Sequence, residues 1–188
     1  MVNVPNALSV LRLLFVPVLL ILAWNGQGKI FFNLLVVSLL TDALDGWLAR
    51  KLNQATELGA RLDSWADLLT SLSMPLAGWW LRPDVVREES VFLLTGIAFY
   101  LLAPLYGWLK YRRLTSYHTW AAKTAAFGLA VAVVVVFAGG PGWPLRIVMP
   151  LVVLACLEEM FITAVLKEWR ANVPTLWHAI QSQRRANQ

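Results

Sequence analysis

Long apolar runs separated by short polar breaks make up most of the chain. The runs cover residues 8–24, 30–50, 58–81, 90–110, 118–138 and 144–168. Each is close to the roughly 20 residues that an α-helix needs to cross the hydrocarbon core of a bilayer. Backbone polar groups cannot stay without hydrogen-bond partners in lipid, so these runs should be helical. The pattern therefore predicts an all-α membrane protein with six transmembrane helices.

The breaks between the runs contain residues typical of turns. Glycine, proline or asparagine occurs in the breaks at residues 25–28, 53–56, 82–84 and 139–142. No repeat or second compositional region follows, so we expect a single domain over residues 1–188. Residues 171–188 are polar and basic, and we expect a cytoplasmic tail there. This tail is either a short surface helix on anionic lipid or a solvated segment.

The composition agrees with a membrane location. Hydrophobic residues make up 59% of the chain and charged residues only 14%, against about 25% charged residues in soluble domains. The first run contains Arg12 and Pro17 and lacks a small-residue cleavage site, so it is predicted to be a retained membrane helix. A single cysteine, Cys156, excludes an intrachain disulfide and a cysteine-based zinc site.

Lysine and arginine fall mainly on one side of the predicted membrane. Six spans place both termini on the same side, which holds most of the 16 basic residues. The other side holds only Lys29, Arg82, Arg87 and Arg146. Cytoplasmic loops carry an excess of basic residues. We therefore expect a protein of the cytoplasmic (inner) membrane whose termini and polar active-site cavity face the cytoplasm, with membrane lipids and no nucleic acid as partners.

Four aspartates interrupt the second and third apolar runs. Asp42 and Asp45 are three residues apart, Asp63 and Asp67 are four apart, and each pair shares a helix face. The short loop between these runs makes the two helices antiparallel neighbours, with the acidic pairs facing each other. Carboxylates this close repel one another, and acids within a membrane helix indicate function. All-oxygen ligands suit Mg²⁺, Mn²⁺ or Ca²⁺, so the sequence predicts a site for one or two divalent cations.

Small residues and one arginine flank the acids. Gly46 and Gly59 remove side-chain bulk where a ligand or a helix backbone must approach. Arg50 lies one turn beyond Gly46 and can reach a phosphate through charge-assisted hydrogen bonds. Taken singly, each residue is equally well explained by helix packing or membrane anchoring. Together with the four acids they favour a ligand that carries phosphate.

The same stretch resembles the signature of the CDP-alcohol phosphotransferase family. It has the form Asp42-x2-Asp45-Gly46-x2-Ala49-Arg50-x8-Gly59-x3-Asp63-x3-Asp67. The N-terminal residues Pro5-Asn6-Ala7-Leu8-Ser9-x2-Arg12-x4-Pro17 are similar to the opening helix of that family. The motifs cover residues 3–70, and the six-span layout extends the resemblance more weakly over the rest of the chain.

The resemblance implies a metal-dependent transferase of phospholipid biosynthesis. Members displace CMP from a CDP-linked donor, usually CDP-diacylglycerol, with an alcohol or alcohol phosphate. By this likeness the four aspartates hold Mg²⁺ or Mn²⁺ at the diphosphate, and Asp67 also takes the proton of the acceptor hydroxyl. The residues that match nucleotide- and diphosphate-binding positions are Pro5, Asn6, Gly46, Arg50, Thr56 and Gly59.

The acceptor alcohol is less closely defined than the donor. A basic cluster at the cytoplasmic ends of the fourth and fifth runs is suited to a phosphorylated alcohol. Its candidate residues are Lys110, Arg112, Arg113 and Lys123. Residues 122–124 resemble a Lys-Thr segment of phosphatidylglycerophosphate synthases, which favours glycerol 3-phosphate. The fourth run lacks their Arg- and Glu-rich helix, so inositol phosphate, serine and other alcohols stay open.

Two further acids, Glu158 and Glu159, lie in the last apolar run. Their distance from the end of that run is similar to that of Asp42 in the second run. We expect one of them to form an ion pair with Lys123 or Arg12, the alternative being that it orients the acceptor.

Two other functions compete with a transferase. A divalent-cation transporter would use the same aspartates, although the outer halves of the second and third runs offer few polar residues for a route. A structural membrane protein would use the aspartates only to pair with arginines.

Faces of small residues, such as the one containing Gly96 and Gly107, can pack helices within or between subunits. We expect a homodimer.

Overall fold

Helices form all of the secondary structure in the ranges that the computed structural model describes, residues 4–51, 57–112, 117, 119–168 and 173–186. In chain order they are α1 Val4–Trp24, α2 Gly28–Lys51, α3 Glu57–Leu81, α4 Pro83–Glu88, α5 Ser90–Tyr111, α6 Trp120–Phe137, α7 Trp143–Val165 and α8 Leu176–Ala186. The predicted all-α class is confirmed.

Within these ranges, several helices are long and apolar enough to cross a bilayer. They are the segments Asn6–Trp24, Ser90–Tyr111, Trp120–Phe137 and Trp143–Val165. These helices make the chain an integral membrane protein. The helices α2 and α3 are as long, with 24 and 25 residues, but both carry acidic residues in their apolar stretch.

Two helices, α4 and α8, lie outside the six apolar runs of the sequence. The break at residues 82–84 opens a short helix, α4, whose first residue is Pro83. Proline suits the first position of a helix because its missing N–H would have no partner there. The polar C-terminal stretch contains the amphipathic helix α8. A helix is observed in that stretch, over Leu176–Ala186, whereas its contact with anionic lipid stays a prediction.

The chain divides into two compact units, the first of which comprises Met1–Glu88 and Val133–Pro141. In this unit α1 packs along both α2 and α3. Gly26 has φ +68° in the turn between α1 and α2, a left-handed conformation that glycine adopts without strain. The buried core consists of Leu19, Ala23, Phe31, Leu35, Met74 and Ala77. This register leaves the first half of α1 beside the end of α2 and the start of α3.

The second unit comprises Glu89–Ala132 and Gly142–Gln188. Here α5 packs along α7, and a Cβ atom added at Gly96 would lie 2.5 Å from Sδ of Met149. A side chain at position 96 would displace the flexible Met149 side chain, so glycine favours this close approach. Gly107 is buried on α5 as well, so the small-residue face of α5 packs within the chain.

An ion pair joins the start of α5 to the first turn of α7. The Nε atom of Arg146 donates to both carboxylate oxygens of Glu89, at 2.9 and 2.8 Å. The Glu89 side chain is fully buried, whereas 45% of the Arg146 side chain is exposed. One carboxylate and one guanidinium thus balance each other in this unit.

Helix α8 is attached to α7 by a hydrogen bond in the same unit. The backbone N–H of Leu176 donates to Oε1 of Glu158 at 3.2 Å. Thr175 and His178 add a side-chain hydrogen bond of 2.8 Å at the start of α8. The bond from Leu176 satisfies one of the backbone N–H donors that lack a partner within the helix at its N-terminal end.

Candidate active site

Three of the four predicted aspartates converge in the first unit. Asp42 lies in α2, and Asp63 and Asp67 lie one turn apart on α3, so the last two share a face. One carboxylate oxygen from each of the three lies within 4.8 Å of the others. Their side chains are 46%, 37% and 50% exposed, respectively. The carboxylates are therefore held together and remain accessible to a ligand.

The fourth aspartate, Asp45, belongs to the same helix as Asp42. Its backbone lies three residues further along α2, close enough along the helix to share a face with Asp42. The placement of its side chain lies outside the described residues.

Arg12 of α1 contacts all three converging carboxylates. Its Nη1 atom donates to Oδ1 of Asp42 and, at 2.8 Å, to Oδ1 of Asp67. Its Nη2 atom donates to Oδ1 of Asp63. Only 3% of the Arg12 side chain is exposed. The planar guanidinium fork presents several donors in fixed directions, so one arginine can bridge acids from two helices.

Arg12 is the functional-site residue that sequence reasoning missed. The chain pattern placed it in the opening motif and on the basic side of the membrane, without assigning it to the aspartates. A usable signal was present, because an ionisable residue within an apolar run is costly unless it has a partner or a function.

Two more buried polar residues precede Arg12 on the same face of α1. Asn6, Ser9 and Arg12 follow one another at intervals of three and are 8%, 3% and 2% exposed. Residues at this spacing form a stripe along a helix. The predicted nucleotide-binding residue Asn6 therefore lies on the face of α1 that leads to the aspartates.

The negative charge of the described groups exceeds the positive charge in this cluster. Three carboxylates (−3) and the Arg12 guanidinium (+1) leave a formal charge of −2. Oxygen donors of this kind are the ligands preferred by hard divalent cations. The carboxylates already converge on a positively charged group. The donor set, its charge and its convergence therefore fit a divalent cation.

The other nucleotide-binding candidates lie around the facing ends of α2 and α3. The backbones of Gly46 and Arg50 belong to the C-terminal part of α2, and Gly59 lies in the first turn of α3. The side chains of Pro5 and Arg50 and the whole of Thr56 lie outside the described residues.

Lys110, one of the acceptor candidates, binds backbone carbonyls in the second unit. Its Nζ atom donates to the carbonyl oxygens of Thr163, Ala164 and Leu166 at 2.6, 3.0 and 2.8 Å. The last carbonyls of a helix have no partner within the helix. The ammonium group therefore caps the C-terminal end of α7.

The remaining acceptor candidates lie against tryptophan rings or beyond the described part of the chain. The Arg112 guanidinium carbon is 5.5 Å from the ring centroid of Trp108. The Lys123 ammonium nitrogen is 4.9 Å from that of Trp120. At these distances a cation is attracted to an aromatic face. Arg113 is outside the residues whose placement is described.

Glu158 and Glu159 have partners different from those expected. Glu158 accepts the N–H of Leu176, and the backbone of Tyr117 lies beside the carboxylate of Glu159. Arg12, one of the two expected partners, is bound to the aspartates instead. Among the residues that the structure describes, both acids thus meet backbone groups of segments that pack on α7, in place of a charged side chain.

Comparison with known proteins decides the family. The model of the CDP-alcohol phosphatidyltransferase family matches residues 2–166. The chain belongs to this family. The match covers the aspartates and Arg12 and extends through α7. The family and the enzyme class predicted from the aspartate motif are confirmed: the chain is an integral membrane CDP-alcohol phosphatidyltransferase.

Several relatives of this phosphatidyltransferase carry more specific names. A probable phosphatidylglycerophosphate synthase of Mycobacterium tuberculosis is 31% identical over 172 residues, which cover 87% of this chain and 78% of the relative. A putative cardiolipin synthase of Mycobacterium bovis is 35% identical over 69% of this chain and 61% of its own length. A CDP-diacylglycerol–glycerol-3-phosphate 3-phosphatidyltransferase of Aquifex aeolicus is 35% identical over 50% of this chain and 53% of its own.

Proposed function

We propose that this phosphatidyltransferase moves the phosphatidyl group of CDP-diacylglycerol to glycerol 3-phosphate and releases CMP. The observation that carries the proposal is the convergence of Asp42, Asp63 and Asp67 in a chain of this family. Glycerol 3-phosphate is supported by the names of the relatives from Mycobacterium tuberculosis and Aquifex aeolicus. The putative cardiolipin synthase supports a lipid alcohol as a second candidate acceptor.

The three aspartates, together with Asp45, would hold Mg²⁺ or Mn²⁺. Such a cation neutralises diphosphate charge and stabilises CMP as the leaving group. Asp67 has a half-exposed carboxylate in the cluster and would accept the proton of the acceptor hydroxyl. In the reaction the acceptor oxygen forms a bond to phosphorus, the phosphorus–oxygen bond to CMP breaks, and the proton passes to the Asp67 carboxylate.

The donor nucleotide would bind where α1, the end of α2 and the start of α3 meet. Asn6 is buried on the α1 face that leads to Arg12, and Gly46 and Gly59 lie on the two neighbouring helix ends. Glycine allows a ligand to approach the backbone closely. Pro5, Arg50 and Thr56 complete the proposed set through their match to the family motif.

The acceptor phosphate would bind Arg112, Arg113 and Lys123. Arg112 and Lys123 lie at the end of α5 and the start of α6, and arginine is well suited to phosphate. Lys110 is the weakest member of the predicted cluster, because its ammonium group already caps α7.

We place all six long helices across the membrane, with the aspartates near the cytoplasmic face. Support comes from the lengths of α2 and α3, 24 and 25 residues, and from the uneven distribution of lysine and arginine. The family match runs through both compact units, which supports a single membrane domain over residues 1–188. A homodimer stays a prediction, since the small-residue face of α5 is buried within the chain.

The test is transfer by the purified protein in detergent micelles. CMP release from CDP-diacylglycerol labelled in its cytidine is measured with glycerol 3-phosphate, inositol phosphate, serine and phosphatidylglycerol as acceptors. We expect release with glycerol 3-phosphate that depends on Mg²⁺ or Mn²⁺ and stops with EDTA. Release supported only by another acceptor would contradict the acceptor assignment.

The role of Asp67 is tested by Asp67→Asn, which removes the base and a metal ligand while keeping the side-chain volume. We expect turnover to fall by about 10²–10⁴-fold, the usual contribution of a general base. Asp84→Asn is the matched control, because Asp84 is an exposed carboxylate of the same unit that pairs with Arg82. Turnover that survives Asp67→Asn would rule out the base assignment. Mn²⁺ flux into liposomes without CDP-diacylglycerol would favour the transporter.

A further inference from the structure

Arg12 lies where a cation would have to bind. Its two terminal nitrogens donate to the Oδ1 atoms of Asp42, Asp63 and Asp67. One oxygen of each of these carboxylates can serve as a metal ligand within the 4.8 Å cluster. The guanidinium and a metal ion would therefore contact the same small set of oxygens.

Burial keeps the guanidinium at this position. The Arg12 side chain is 3% exposed, while those of its three partners are 37–50% exposed. The carboxylates can therefore be approached from outside the packed helices, and Arg12 contacts them from the interior, from α1. A buried guanidinium is stabilised only by such partners, so it holds α2 and α3 at a fixed separation.

The Arg12 guanidinium and a metal ion bound to the same carboxylates would repel each other. The three carboxylates exceed Arg12 by a formal charge of −2, which attracts a divalent cation. Two positive groups that share the same oxygens repel each other at short range, and strongly so in partly dehydrated surroundings. The three carboxylates cannot fully neutralise both the guanidinium and the metal ion.

We propose that Arg12 is the internal counter-cation of the aspartate site: it holds the three carboxylates together before metal binds and competes with the metal for them. The inference rests on the proposed function, because it takes the aspartates as metal ligands. Arg12 is thereby a positioning residue, which acts on the acids. Arg12 lowers the affinity of the site for metal. It also keeps the site preformed, because three acids without it would repel one another.

The experiment is a Mn²⁺ titration of the full-length protein in detergent micelles without nucleotide, read by electron paramagnetic resonance of free Mn²⁺. Arg12→Gln removes the charge and keeps a polar side chain. We expect its Kd for Mn²⁺ to be about tenfold lower than that of the unmodified chain, the order of magnitude of one charge-assisted hydrogen bond. An unchanged or higher Kd overturns the proposal.

Arg12→Lys separates charge from geometry. Lysine keeps the positive charge but lacks the fork that spans three acids, so we expect a Kd between those of the unmodified chain and Arg12→Gln. A purely structural arginine would give weaker Mn²⁺ binding in both variants, which would refute the competition. This second variant keeps the test decisive if Arg12→Gln unfolds.

Arg82→Gln is the matched control, because Arg82 is the guanidinium of the same unit that binds Asp84 and the carbonyls of Val136 and Gly140. Its Kd for Mn²⁺ should equal that of the unmodified chain. The unmodified chain also separates the two hypotheses. Failure to bind Mn²⁺ at all would contradict the proposed function, whereas equal binding by Arg12→Gln would contradict only the role of Arg12.

Discussion

The two compact units treat charge within apolar helices in opposite ways. In the first unit three exposed or half-exposed carboxylates meet one buried guanidinium, and the formal charge of these described groups does not balance. In the second unit the fully buried Glu89 receives two hydrogen bonds from Arg146, and the charge balances one to one. Both arrangements remove charge from lipid, but only the first leaves an attraction for something outside the chain.

Other cations of the chain are matched by backbone groups. Lys110 binds three carbonyls at the end of α7. Arg82 donates to the carbonyls of Val136 and Gly140 near the end of α6, at 2.5 and 3.1 Å. Helix C-termini carry partial negative charge that cations stabilise. The Glu89–Arg146 pair and the helix-capping cations are structural contacts, whereas the aspartate cluster keeps a surplus of negative charge among its described groups.

The largest expected effect comes from removing a carboxylate charge from the aspartate cluster of the first unit. Asp42→Asn should lower turnover by about 10³-fold, through loss of metal-held electrostatic stabilisation, without lowering the unfolding temperature, because repulsion among the acids decreases. CMP release and thermal unfolding in detergent are the two measurements. A large loss of stability together with activity would mean that Asp42 is a structural partner of Arg12.

A smaller effect is expected from breaking the Glu89–Arg146 ion pair of the second unit. Arg146→Met leaves the buried Glu89 carboxylate without its cation, and the free energy of unfolding should fall by about 3–5 kcal/mol. Adding Glu89→Gln should restore most of this loss, since the uncompensated charge is then gone. Unfolding in mixed micelles measures both variants, and the Kd for Mn²⁺ should stay constant. No recovery in the double variant would contradict the ion-pair account.

Lys110→Met distinguishes a helix cap from an acceptor site. Three carbonyls lose their donor, so the free energy of unfolding should fall by about 1–3 kcal/mol. The KM for glycerol 3-phosphate should stay unchanged, whereas Lys123→Met should raise it. A raised KM in Lys110→Met at unchanged stability would instead support Lys110 as an acceptor-binding residue.

The smallest effect concerns Asp84, whose pKa is held below its usual value by a hydrogen bond from Arg82. A lowered folded-state pKa stabilises the fold above the unfolded-state pKa, and this contribution disappears as the pH falls through the folded value. Asp84 is exposed, so Asp84→Asn should not measurably change the unfolding temperature at pH 7. A clear shift there would show that this exposed pair contributes measurably to stability.

The helices and the shared face of Asp63 and Asp67 could be predicted from sequence because both depend on local spacing. The predicted run 58–81 is helix α3, Glu57–Leu81, since its ends are defined by apolar length and polar breaks. The run predicted to begin at residue 118 starts at Trp120 instead. The hydroxyl of Thr119 accepts the N–H of Ala122 and so caps the N-terminal end of α6.

The contacts between distant helices could not be predicted in the same way. Whether Arg12 faces α2 and α3 or lipid depends on the rotation of α1, which spacing within α1 leaves open. The carbonyls bound by Lys110 are 53 to 56 residues away along the chain, and every residue has a carbonyl. Roles that follow from tertiary contacts with the backbone therefore have no sequence signature.

Arg12 also bears on the order in which the chain enters the membrane. Its carboxylate partners follow it by 30, 51 and 55 residues, so α1 leaves the ribosome well before them. An arginine at the centre of a membrane helix disfavours insertion by about 2.5–3.5 kcal/mol on translocon scales. The apolar residues of α1 must offset this cost at first, and the full set of carboxylate partners of Arg12 is present only once α3 has been made.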